Sequence, residues 1–536
     1  MKALTAAEMR QVDLLTTERY GIPSLRLMEN AGTRFFEFLR SSYGDVAASH
    51  AAVLCGKGNN GGDGFVAARL LQEKGLKPVV YLFSRQDAVP GDASENLARL
   101  KKSGAKIQEI TSCENWEQAR REIAKSRLIV DALLGTGLKG KVEGLLASVV
   151  EDVNKISRDA TSLYPEAVVA LDTPSGLPSD GESSEGPVVC AHATVTFTAP
   201  KVGQLVSARS ACCGRLHVRE IGSPYELITE LGKSKVSWIE PREFLDLPLV
   251  RHVDSHKGNY GHLLLIAGSL GKSGAAILAG RGALRSGAGL VTVASPDAVL
   301  PIIAASQAEF MTEPLVSTKW GTIAAANGNA NRLHALTQGR TLLAIGPGMG
   351  THAETQKFIT SLVRQTELPV ILDADGLNAF AGRGQDLVKR KTKHLALTPH
   401  PGEMARLLGL SNATVQADRL AIAWKAAKAW KAHIILKGFH TILATPDGRA
   451  FVNTTGSPRM AKGGSGDVLT GILAGTVSQL GRENWESALA LGVYLHGRAG
   501  DEKAPRHEEI TLLAGEIADT LPYTYDQLLT ELRDLA

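Results

Sequence analysis

The chain has 536 residues, of which 44% are hydrophobic and 21% are charged. Lysine and arginine number 59 and aspartate and glutamate 55, so the formal net charge is only +4. These values exclude an intrinsically disordered chain, which needs low hydrophobicity and high net charge, and they show no electrostatic footprint for nucleic-acid binding.

The N-terminal part of the chain alternates helical and strand patterns. Helices are predicted at Ala6–Leu15, Pro23–Phe38 and Phe65–Lys74. The predicted strands are Ala51–Cys55, Pro78–Phe83, Arg127–Leu134, Ala167–Leu171, Val195–Thr198 and Leu216–Val218. Short apolar strands separated by helices predict a parallel sheet covered on both faces, whose ligands bind beyond the carboxyl ends of the strands.

The C-terminal half repeats this alternation. A helix rich in small residues is predicted at Gly274–Ser286, and the predicted strands are His262–Ala267, Leu290–Ala294, Thr341–Ile345, Val370–Leu372, Leu395–Leu397, Ile434–Leu436 and Ile442–Ala444. Residues 221–248 show no strong sheet pattern, so we expect a linker at 226–245 between domains at 1–225 and 246–536. The expected fold class of both domains is α/β.

A glycine-rich segment, GKGNNGGDG at residues 56–64, lies between a predicted strand and a predicted helix. Glycine allows close backbone approach, and free N–H groups at the start of a helix bind phosphate. Asparagine side chains add hydrogen-bond donors and acceptors. A binding site is therefore favoured over a plain turn.

Two further loops follow strands at the same predicted edge. Gly135–Gly140 fits GxGxxG, which alone is a weak dinucleotide fingerprint. Asp131 precedes it and either binds ribose hydroxyls or a metal ion or serves as a structural cap. The next loop reads DTPSG, in which Asp172 is a candidate general base and Ser175 a candidate cation ligand. A hard monovalent cation prefers oxygen ligands, which Asn60, Asp131 and Ser175 could supply.

These motifs together resemble the N-terminal epimerase domain of NAD(P)H-hydrate repair enzymes. MENAG at residues 28–32, GNNGGDG, Asp131 with GTGLKGK, and DTPSGL follow that family's order, and the resemblance spans residues 1–220. It implies a Rossmann-like three-layer fold, interconversion of the R and S forms of the hydrated nicotinamide ring, and a potassium ion at Asn60, Asp131 and Ser175. The implied substrate contacts are Asn59, Asn60, Gly61, Gly62, Asp63, Gly135, Thr136, Gly137, Leu138, Lys139, Gly140, Lys141 and Asp172.

The segment AKGGSGDVLTG at residues 461–471 opens an apolar helix in the second domain. N–H groups at its start could bind phosphate, and Asp467 could take a proton from a hydroxyl beside a transferred phosphoryl group. The alternative is a capped helix with flexible glycines. Gly271-Lys272-Ser273 ends like a P-loop, but Ile266 stands where that motif needs its first glycine.

Other loops of the second domain also follow predicted strands: GPGMG at 346–350, DADG at 373–376, TPHPGE at 398–403 and KGFHT at 437–441. With HKGNYGH, GAGLV and GGSGDVL they resemble the ribokinase-like fold and, more closely, the C-terminal NAD(P)HX dehydratase domain, over about residues 250–525. Thr318–Leu333 resembles an insertion. The implied nucleotide contacts are Lys437, Gly438, Phe439, His440, Thr441 and Gly466. The implied contacts with the hydrated cofactor are Ala275, Gly350, His400 and Asp467; His400 could equally be a structural residue.

The two resemblances imply a bifunctional enzyme that epimerises R- and S-NAD(P)HX and then dehydrates the S form. ADP is the expected co-substrate, with Mg²⁺, and AMP and phosphate the by-products. Asp172 and Asp467 are the candidate catalytic residues. Three alternatives stay open: a ribokinase-type small-molecule kinase with an N-terminal nucleotide-binding domain, a non-catalytic scaffold, and a dehydrogenase.

Five cysteines, an odd number without a CxxC pair, indicate reduced thiols. The N-terminus lacks the apolar core of a signal peptide, and no segment approaches the ~18 apolar residues of a membrane span. We therefore expect a soluble cytoplasmic protein with small-molecule partners, NADHX or NADPHX and ADP or ATP, and with no nucleic-acid or membrane partner. The sequence leaves its oligomeric state open, a homo-oligomer included.

Overall fold

The computed structural model describes residues 1–49, 51–138, 140–159, 167–181, 185–502 and 511–535. The chain divides into two compact units, Met1–Val236 and Ser237–Ala536. The division falls within residues 226–245, for which we predicted a linker. This segment nevertheless includes most of a short helix and a three-residue strand, too short to produce a periodic pattern in the sequence.

The first unit is a parallel sheet with helices on both faces. Its helices are α1 (Ala6–Tyr20), α2 (Ser24–Ser49), α3 (Asn59–Glu73), α4 (Gly91–Lys102), α5 (Cys113–Ile123), α6 (Gly144–Asp159), α7 (Val202–Val206) and α8 (Tyr225–Leu231). Its strands are β1 (Ala51–Cys55), β2 (Val79–Leu82), β3 (Lys106–Glu109), β4 (Leu128–Ala132), β5 (Ala167–Leu171), β6 (Ala193–Phe197) and β7 (Arg215–Arg219).

The strand order is β3-β2-β1-β4-β5-β6-β7, and all neighbouring strands are parallel. Every residue of β1 is buried, and alternate residues enter different hydrophobic clusters. Val53 packs into the cluster that includes residues of α2, α3 and α4, whereas Leu54 packs into the cluster that includes residues of α5 and α6. The order reverses between β1 and β4, where ligands of open α/β sheets bind.

The second unit is built in the same way around a larger sheet. Its helices are α9 (Ser273–Arg285), α10 (Leu300–Ser306), α11 (Ala330–Thr337), α12 (Ala353–Gln365), α13 (Ala374–Asn378), α14 (Pro401–Leu408), α15 (Asn412–Ala417), α16 (Arg419–Trp430), α17 (Ser465–Leu480), α18 (Trp485–Asp501) and α19 (Ala514–Leu535). The remaining strands are β8 (Val236–Trp238), β9 (His262–Ile266), β10 (Leu290–Pro296), β11 (Met311–Leu315), β12 (Leu342–Ile345), β13 (Val370–Leu372), β14 (Leu395–Leu397), β15 (His433–Leu436), β16 (Thr441–Ala444) and β17 (Ala450–Asn453).

The strand order of this sheet is β11-β10-β9-β12-β13-β14-β15-β16-β17-β8. Strands β11 to β15 run parallel, and β16 and β17 continue the sheet as antiparallel neighbours. The order reverses between β9 and β12. The α/β fold class is therefore confirmed for both units, and each has one edge at which several parallel strands end.

None of the helices in the described part of the chain is long and apolar enough to cross a membrane.

Candidate functional site

A cleft of about 790 Å³ opens at the strand-order reversal of the first unit. Eight of the predicted substrate contacts line it: Asn59, Asn60, Asp63, Gly135, Thr136, Gly137, Leu138 and Asp172. Gly140 and Lys141 are not among the lining residues, and Lys139 lies outside the described residues. The sequence therefore located most of the residues that line this cleft, while substrate contact at all of the predicted positions stays a prediction.

Helix α3 begins at Asn59, six residues before the predicted start, so NNGGD forms its first turns. Gly61 and Gly62 are buried there and do not line the cleft. A Cβ on Gly61 would lie 1.9 Å from the Gly56 carbonyl oxygen, so this glycine is required by the close approach of two backbone segments. The N-cap, Gly58, has no side chain to cap the helix, which leaves first-turn N–H groups for an anionic ligand.

Asp131 and Ser175 form a buried pair that accepts hydrogen bonds from the N–H groups of Leu133 and Leu134, two residues of the cleft wall. The Ser175 hydroxyl donates to Asp131 Oδ1 at 2.6 Å, and the Ser175 N–H donates to Asp131 Oδ2 at 2.8 Å. Burial raises the pKa of Asp131 to about 6, an effect that the hydrogen bonds from Ser175 and Leu133 oppose. Asn60 donates from Nδ2 to the Leu134 carbonyl, and its buried Oδ1 has no hydrogen-bond partner among the described residues.

A buried ion pair lies in the wall of the same cleft. Lys201 Nζ is 2.5 Å from Asp172 Oδ1, and the Lys201 side chain is only 2% exposed. Asp172 has a φ of 60°, a conformation that costs a non-glycine residue ~1–3 kcal/mol and that is concentrated at functional sites. Gln204 Nε2 holds this backbone by donating to the Asp172 carbonyl at 2.6 Å.

Three more carboxyl groups line the cleft, Asp13 from α1, Asp63 from α3 and Asp92 from α4. Burial raises the pKa of Asp13 to about 6, with Lys201 opposing the shift and Asp172 adding to it. Burial, followed by the charges of Asp172 and Asp13, raises the pKa of Asp63 well above its usual range. Sequence patterns did not reveal Asp13 and Lys201 as site residues, because neither belongs to a motif and Asp13 lies within a predicted helix.

In the second unit, four loops that follow β12 to β15 meet at one sheet edge. The Gly350 N–H donates to Asp375 Oδ2 at 2.7 Å, which joins the GPGMG loop to DADG. Gly346 has a φ of 135°, and a Cβ there would lie 1.8 Å from the Asp373 carbonyl oxygen. The predicted contact Ala275 adjoins this loop, because its Cβ lies 2.8 Å from the position of a Cβ on Gly348.

Asp373 is the centre of a buried polar cluster at the start of α17. Lys437 Nζ lies 2.7 Å from Asp373 Oδ1, and the Thr470 hydroxyl donates to Asp373 Oδ2 at 2.7 Å. Burial opposes ionisation of Asp373, but Lys437 and the hydrogen bonds lower its pKa below the usual value. A Cβ on Gly466 would lie 3.4 Å from Lys437 Nζ. The ammonium group therefore lies beside the first turn of α17, where phosphate is expected to bind.

Asp467 lies in the same first turn. Burial raises its pKa to about 6, the charge of Asp373 adds to the shift, and Lys437 opposes it. A carboxyl group with a pKa near the working pH suits general-base catalysis. The structure thus brings together Asp467, Gly466 and Lys437, which the sequence placed in two separate motifs.

His400 has a structural role in the described structure. It is the N-cap of α14, where its Nδ1 accepts from the Gly402 N–H at 3.0 Å, and its own N–H donates to Glu403 at 2.8 Å. The outer part of the ring, Nε2, lies 3.6 Å from Glu403 Oε1, and about half of the side chain is exposed. Capping therefore does not exclude ligand binding by His400, which stays a prediction.

The KGFHT loop between β15 and β16 presents a flat aromatic surface. Phe439 is 49% exposed and stacks on His440 with ring centroids 4.0 Å apart. The Thr441 hydroxyl donates to the Gly438 carbonyl at 3.2 Å. Arg419, which the sequence did not single out, supports the loop by donating to the carbonyls of Leu436 and Lys437.

The predicted insertion at residues 318–333 is an ordered part of this unit. Ser317 and Ile323 form an isolated antiparallel bridge, a short 3-10 helix covers Ala325–Gly328, and α11 begins at Ala330. The Thr322 methyl group would lie 3.3 Å from a Cβ on Gly350. The segment therefore packs beside a predicted substrate contact.

Comparisons with known proteins match both units. A family model described as NAD(P)H-hydrate dehydratase matches residues 263–523, and one described as YjeF-related protein N-terminus matches residues 24–203. The bifunctional NAD(P)H-hydrate repair enzyme of Moorella thermoacetica is 41% identical over 542 residues, covering 100% of this chain and 98% of that protein. The protein of the same description from Escherichia coli is 32% identical, covering 96% of this chain and 92% of that protein.

A solved structure of a Bacillus subtilis protein, described as ADP/ATP-dependent NAD(P)H-hydrate dehydratase co-crystallised with ATP/Mg²⁺, is also similar. It is 34% identical, covers 55% of this chain and 99% of its own, and has a TM-score of 0.49. The matches to full-length relatives extend over both units and over the motifs of both sites. The chain therefore belongs to the family of bifunctional NAD(P)H-hydrate repair enzymes.

Proposed function

We propose that this chain repairs hydrated NAD(P)H in two steps, one in each unit. The first unit interconverts the R and S forms of NAD(P)HX at C6 of the nicotinamide ring. The second unit dehydrates the S form to NAD(P)H and converts ADP to AMP and phosphate. The observation that carries the proposal is the presence in one chain of two separate polar sites, each at the carboxyl edge of its own parallel sheet.

In the first unit, Asp172 is the proposed acid/base. The C6 carbon carries both a hydroxyl group and the ring nitrogen, so its configuration can be exchanged by reversible proton transfer and ring opening. Asp172 lies in the cleft wall, and the first turns of α3 and the loop at 135–138 contribute to the same wall. The first-turn N–H groups of α3 are suited to hold the phosphates of the substrate.

Asn60, Asp131 and Ser175 are the proposed ligands of a potassium ion. They offer one carboxylate, one amide oxygen and one hydroxyl, which is a donor set suited to a hard cation. The buried, unpartnered Oδ1 of Asn60 fits such a role, because a buried acceptor without a donor is costly unless a ligand satisfies it. When bound, the ion would supply positive charge beside the cleft.

In the second unit, Asp467 is proposed to accept the proton of the C6 hydroxyl as this oxygen attacks the terminal phosphoryl group of ADP. Hydroxide is a poor leaving group, whereas phosphate is a good one, so phosphorylation prepares the hydroxyl to depart. Lys437 and the N–H groups at the start of α17 would stabilise the charge of the transferring group. Mg²⁺ bound to the nucleotide phosphates would add to this stabilisation.

The nucleotide is proposed to lie against residues 437–441. The exposed face of Phe439, stacked on His440, offers a surface for the adenine ring, while Lys437 reaches the phosphate end of the site. ADP is proposed as the preferred co-substrate, which a comparison of rates with ADP and ATP would test. ATP-dependent turnover at the higher kcat/KM would contradict this preference.

A ribokinase-type small-molecule kinase would use a similar site but would leave a phosphorylated product. A repair enzyme instead releases free phosphate and restores the absorbance of NADH. The test is therefore incubation of S-NADHX with the full chain, ADP and Mg²⁺, with phosphate, AMP and NADH measured in the same sample. One NADH and one phosphate per AMP supports the proposal, and a stable phosphorylated product contradicts it.

A further inference from the structure

Lys201 is a buried lysine that the proposed mechanism has not used. It immediately precedes α7, its side chain is 2% exposed, and it belongs to none of the family motifs. Burying an ammonium group costs several kcal/mol unless it is paired and hydrogen-bonded. Lys201 meets both conditions, because it is paired with Asp172 and its ammonium group is hydrogen-bonded.

All three N–H bonds of the Lys201 ammonium have acceptors. Nζ donates to Asp172 Oδ1 at 2.5 Å, to Thr196 Oγ1 at 2.7 Å and to the Phe197 carbonyl at 3.2 Å. The ammonium group therefore has no remaining donor for a substrate and cannot bind one without breaking these contacts.

The carboxylate of Asp172 is held from one side only. The Thr196 hydroxyl also donates to Oδ1, at 3.0 Å, so both side-chain hydrogen bonds of Asp172 reach the same oxygen. No residue in the described ranges donates to Oδ2. Asp172 lines the cleft, and Oδ2 is therefore available to a ligand bound there.

The surroundings of the pair are acidic. Asp13 and Asp63 line the same cleft as Asp172, and Lys201 opposes the upward pKa shift of both. Arg10 and Lys57 also line the cleft, but Lys201 is the cation in contact with Asp172. Its ammonium therefore offsets the mutual repulsion of three carboxyl groups at the point where one of them meets the substrate.

We propose that Lys201 is the positioning residue of the epimerase site, fixing Asp172 Oδ1 so that Oδ2 exchanges a proton with the hydroxyl on C6. This inference rests on the proposed role of Asp172. Oδ2 takes the hydroxyl proton, the C6–N1 bond breaks with its electron pair going to N1, and C6 becomes an aldehyde. The proton passes from Oδ2 to N1. Closure by the reverse steps on the other face of the aldehyde gives the other epimer, so no atom or electron is gained or lost.

The test is a double-mutant cycle in the full chain with Lys201→Met, Asp172→Asn and the double variant. The readouts are kcat and KM of epimerisation, with dehydratase activity on pure S-NADHX as a measure of the second unit in the same sample. Lys125→Met is the control, since this lysine of the first unit is exposed and its ion-pair partner within the described ranges is Glu122. The control is expected to leave both activities unchanged.

Lys201→Met is expected to lower the epimerase kcat about 100-fold, a typical contribution of acid–base catalysis, with KM changed less than about threefold. In the Asp172→Asn background the same change should cost no further activity, because Lys201 acts through Asp172. An unchanged kcat in Lys201→Met, or an equal loss in both backgrounds, would overturn the proposal.

Lys201→Arg keeps a buried cation, so it tests the role of the charge even if Lys201→Met does not fold. We expect its kcat to lie between those of the wild type and Lys201→Met; a kcat equal to that of a folded Met variant would overturn the role of the charge. The two proposals fail differently. Full activity of Asp172→Asn would refute the role of Asp172 itself, whereas an inactive Asp172→Asn beside a fully active Lys201→Met would refute only the role of Lys201.

Discussion

Lys437 Nζ lies 2.7 Å from Asp373 Oδ1 in the second unit, and the Asp373 side chain is only 2% exposed. Burial lowers the pKa of Lys437, but Asp373 and Glu403 more than offset this effect and raise it above the usual value. The two residues follow different strands, β15 and β13, and meet beside the first turn of α17. This pair therefore links the nucleotide loop to the helix that carries Asp467.

Asp373→Asn should destabilise the second unit, because the ion-pair partner that Lys437 then keeps among the described residues is Glu403, 3.7 Å away. Breaking a buried pair by removing one partner costs about 3–5 kcal/mol, and Glu403 should keep the loss near the lower end. This loss of stability is measured by urea denaturation, with dehydratase activity as the signal for the folded state. Asp386→Asn, at an exposed pair with Lys389, is the control. Equal midpoints for the two variants would contradict the prediction.

Asp467→Asn should abolish nucleotide-dependent recovery of NADH, with a fall in kcat of at least about 100-fold, while the epimerase activity persists. Since the pKa of Asp467 is raised to about 6, its base form is lost as the pH falls through that value. The dehydratase rate of the wild type should therefore decline below about pH 6. A rate independent of pH between 5 and 7 would argue against Asp467 as the base.

Asp13→Asn should stabilise the first unit at pH 8. The folded-state pKa of about 6 lies above the unfolded value, so ionisation of Asp13 disfavours folding as the pH rises through this interval. Removing the charge should add about 1–2 kcal/mol at pH 8, after allowance for screening by solvent, and nothing below about pH 4. Thermal unfolding at the two pH values measures the difference. Equal stabilisation at both would show that the effect is not electrostatic.

Replacement of potassium by tetramethylammonium should lower epimerase activity, and Asp131→Asn should remove the dependence on potassium. The reason is that the buried Oδ1 of Asn60 and the Asp131–Ser175 pair form a donor set that only a small cation can complete. Titration of epimerase activity with KCl at constant ionic strength measures the dependence on potassium, with dehydratase activity as the control. A wild type indifferent to the cation would contradict the potassium site.

The sequence predicted most of the inner strands and the edge strand β7, but it missed the edge strands β3, β8 and β11 and the inner strand β17. The runs at 51–55 and 167–171 are buried on both faces, so they appear as uninterrupted apolar segments, and their bounds matched. Strands β3 and β11 lie at sheet edges and read KIQE and MTEPL, in which polar residues interrupt the apolar ones. Helix α3 begins earlier than predicted because glycine, a poor helix former, fills its first turns for close packing rather than for propensity.

The motifs located the loops of both sites, but they did not show which residues from other elements approach them. Lys201 and Asp13 contribute to the first site from α-helical regions about 30 and 160 residues away from Asp172. Thr470 was hidden within an apolar helix, although it donates to Asp373. Contacts of this kind depend on the three-dimensional packing of elements that no single-sequence pattern relates.

One chain is expected to restore both epimers of hydrated NADH. The most direct measurement is the fraction of an R and S NADHX mixture recovered as NADH with ADP and Mg²⁺, compared among the wild type, Asp172→Asn and Asp467→Asn. We predict rapid recovery of both epimers by the wild type. Asp172→Asn should recover the S form, and then the R form only as slowly as it epimerises spontaneously. Asp467→Asn should give no recovery. Wild-type recovery that stops at the S fraction, or full recovery by Asp467→Asn, would refute the proposed two-step repair by this chain.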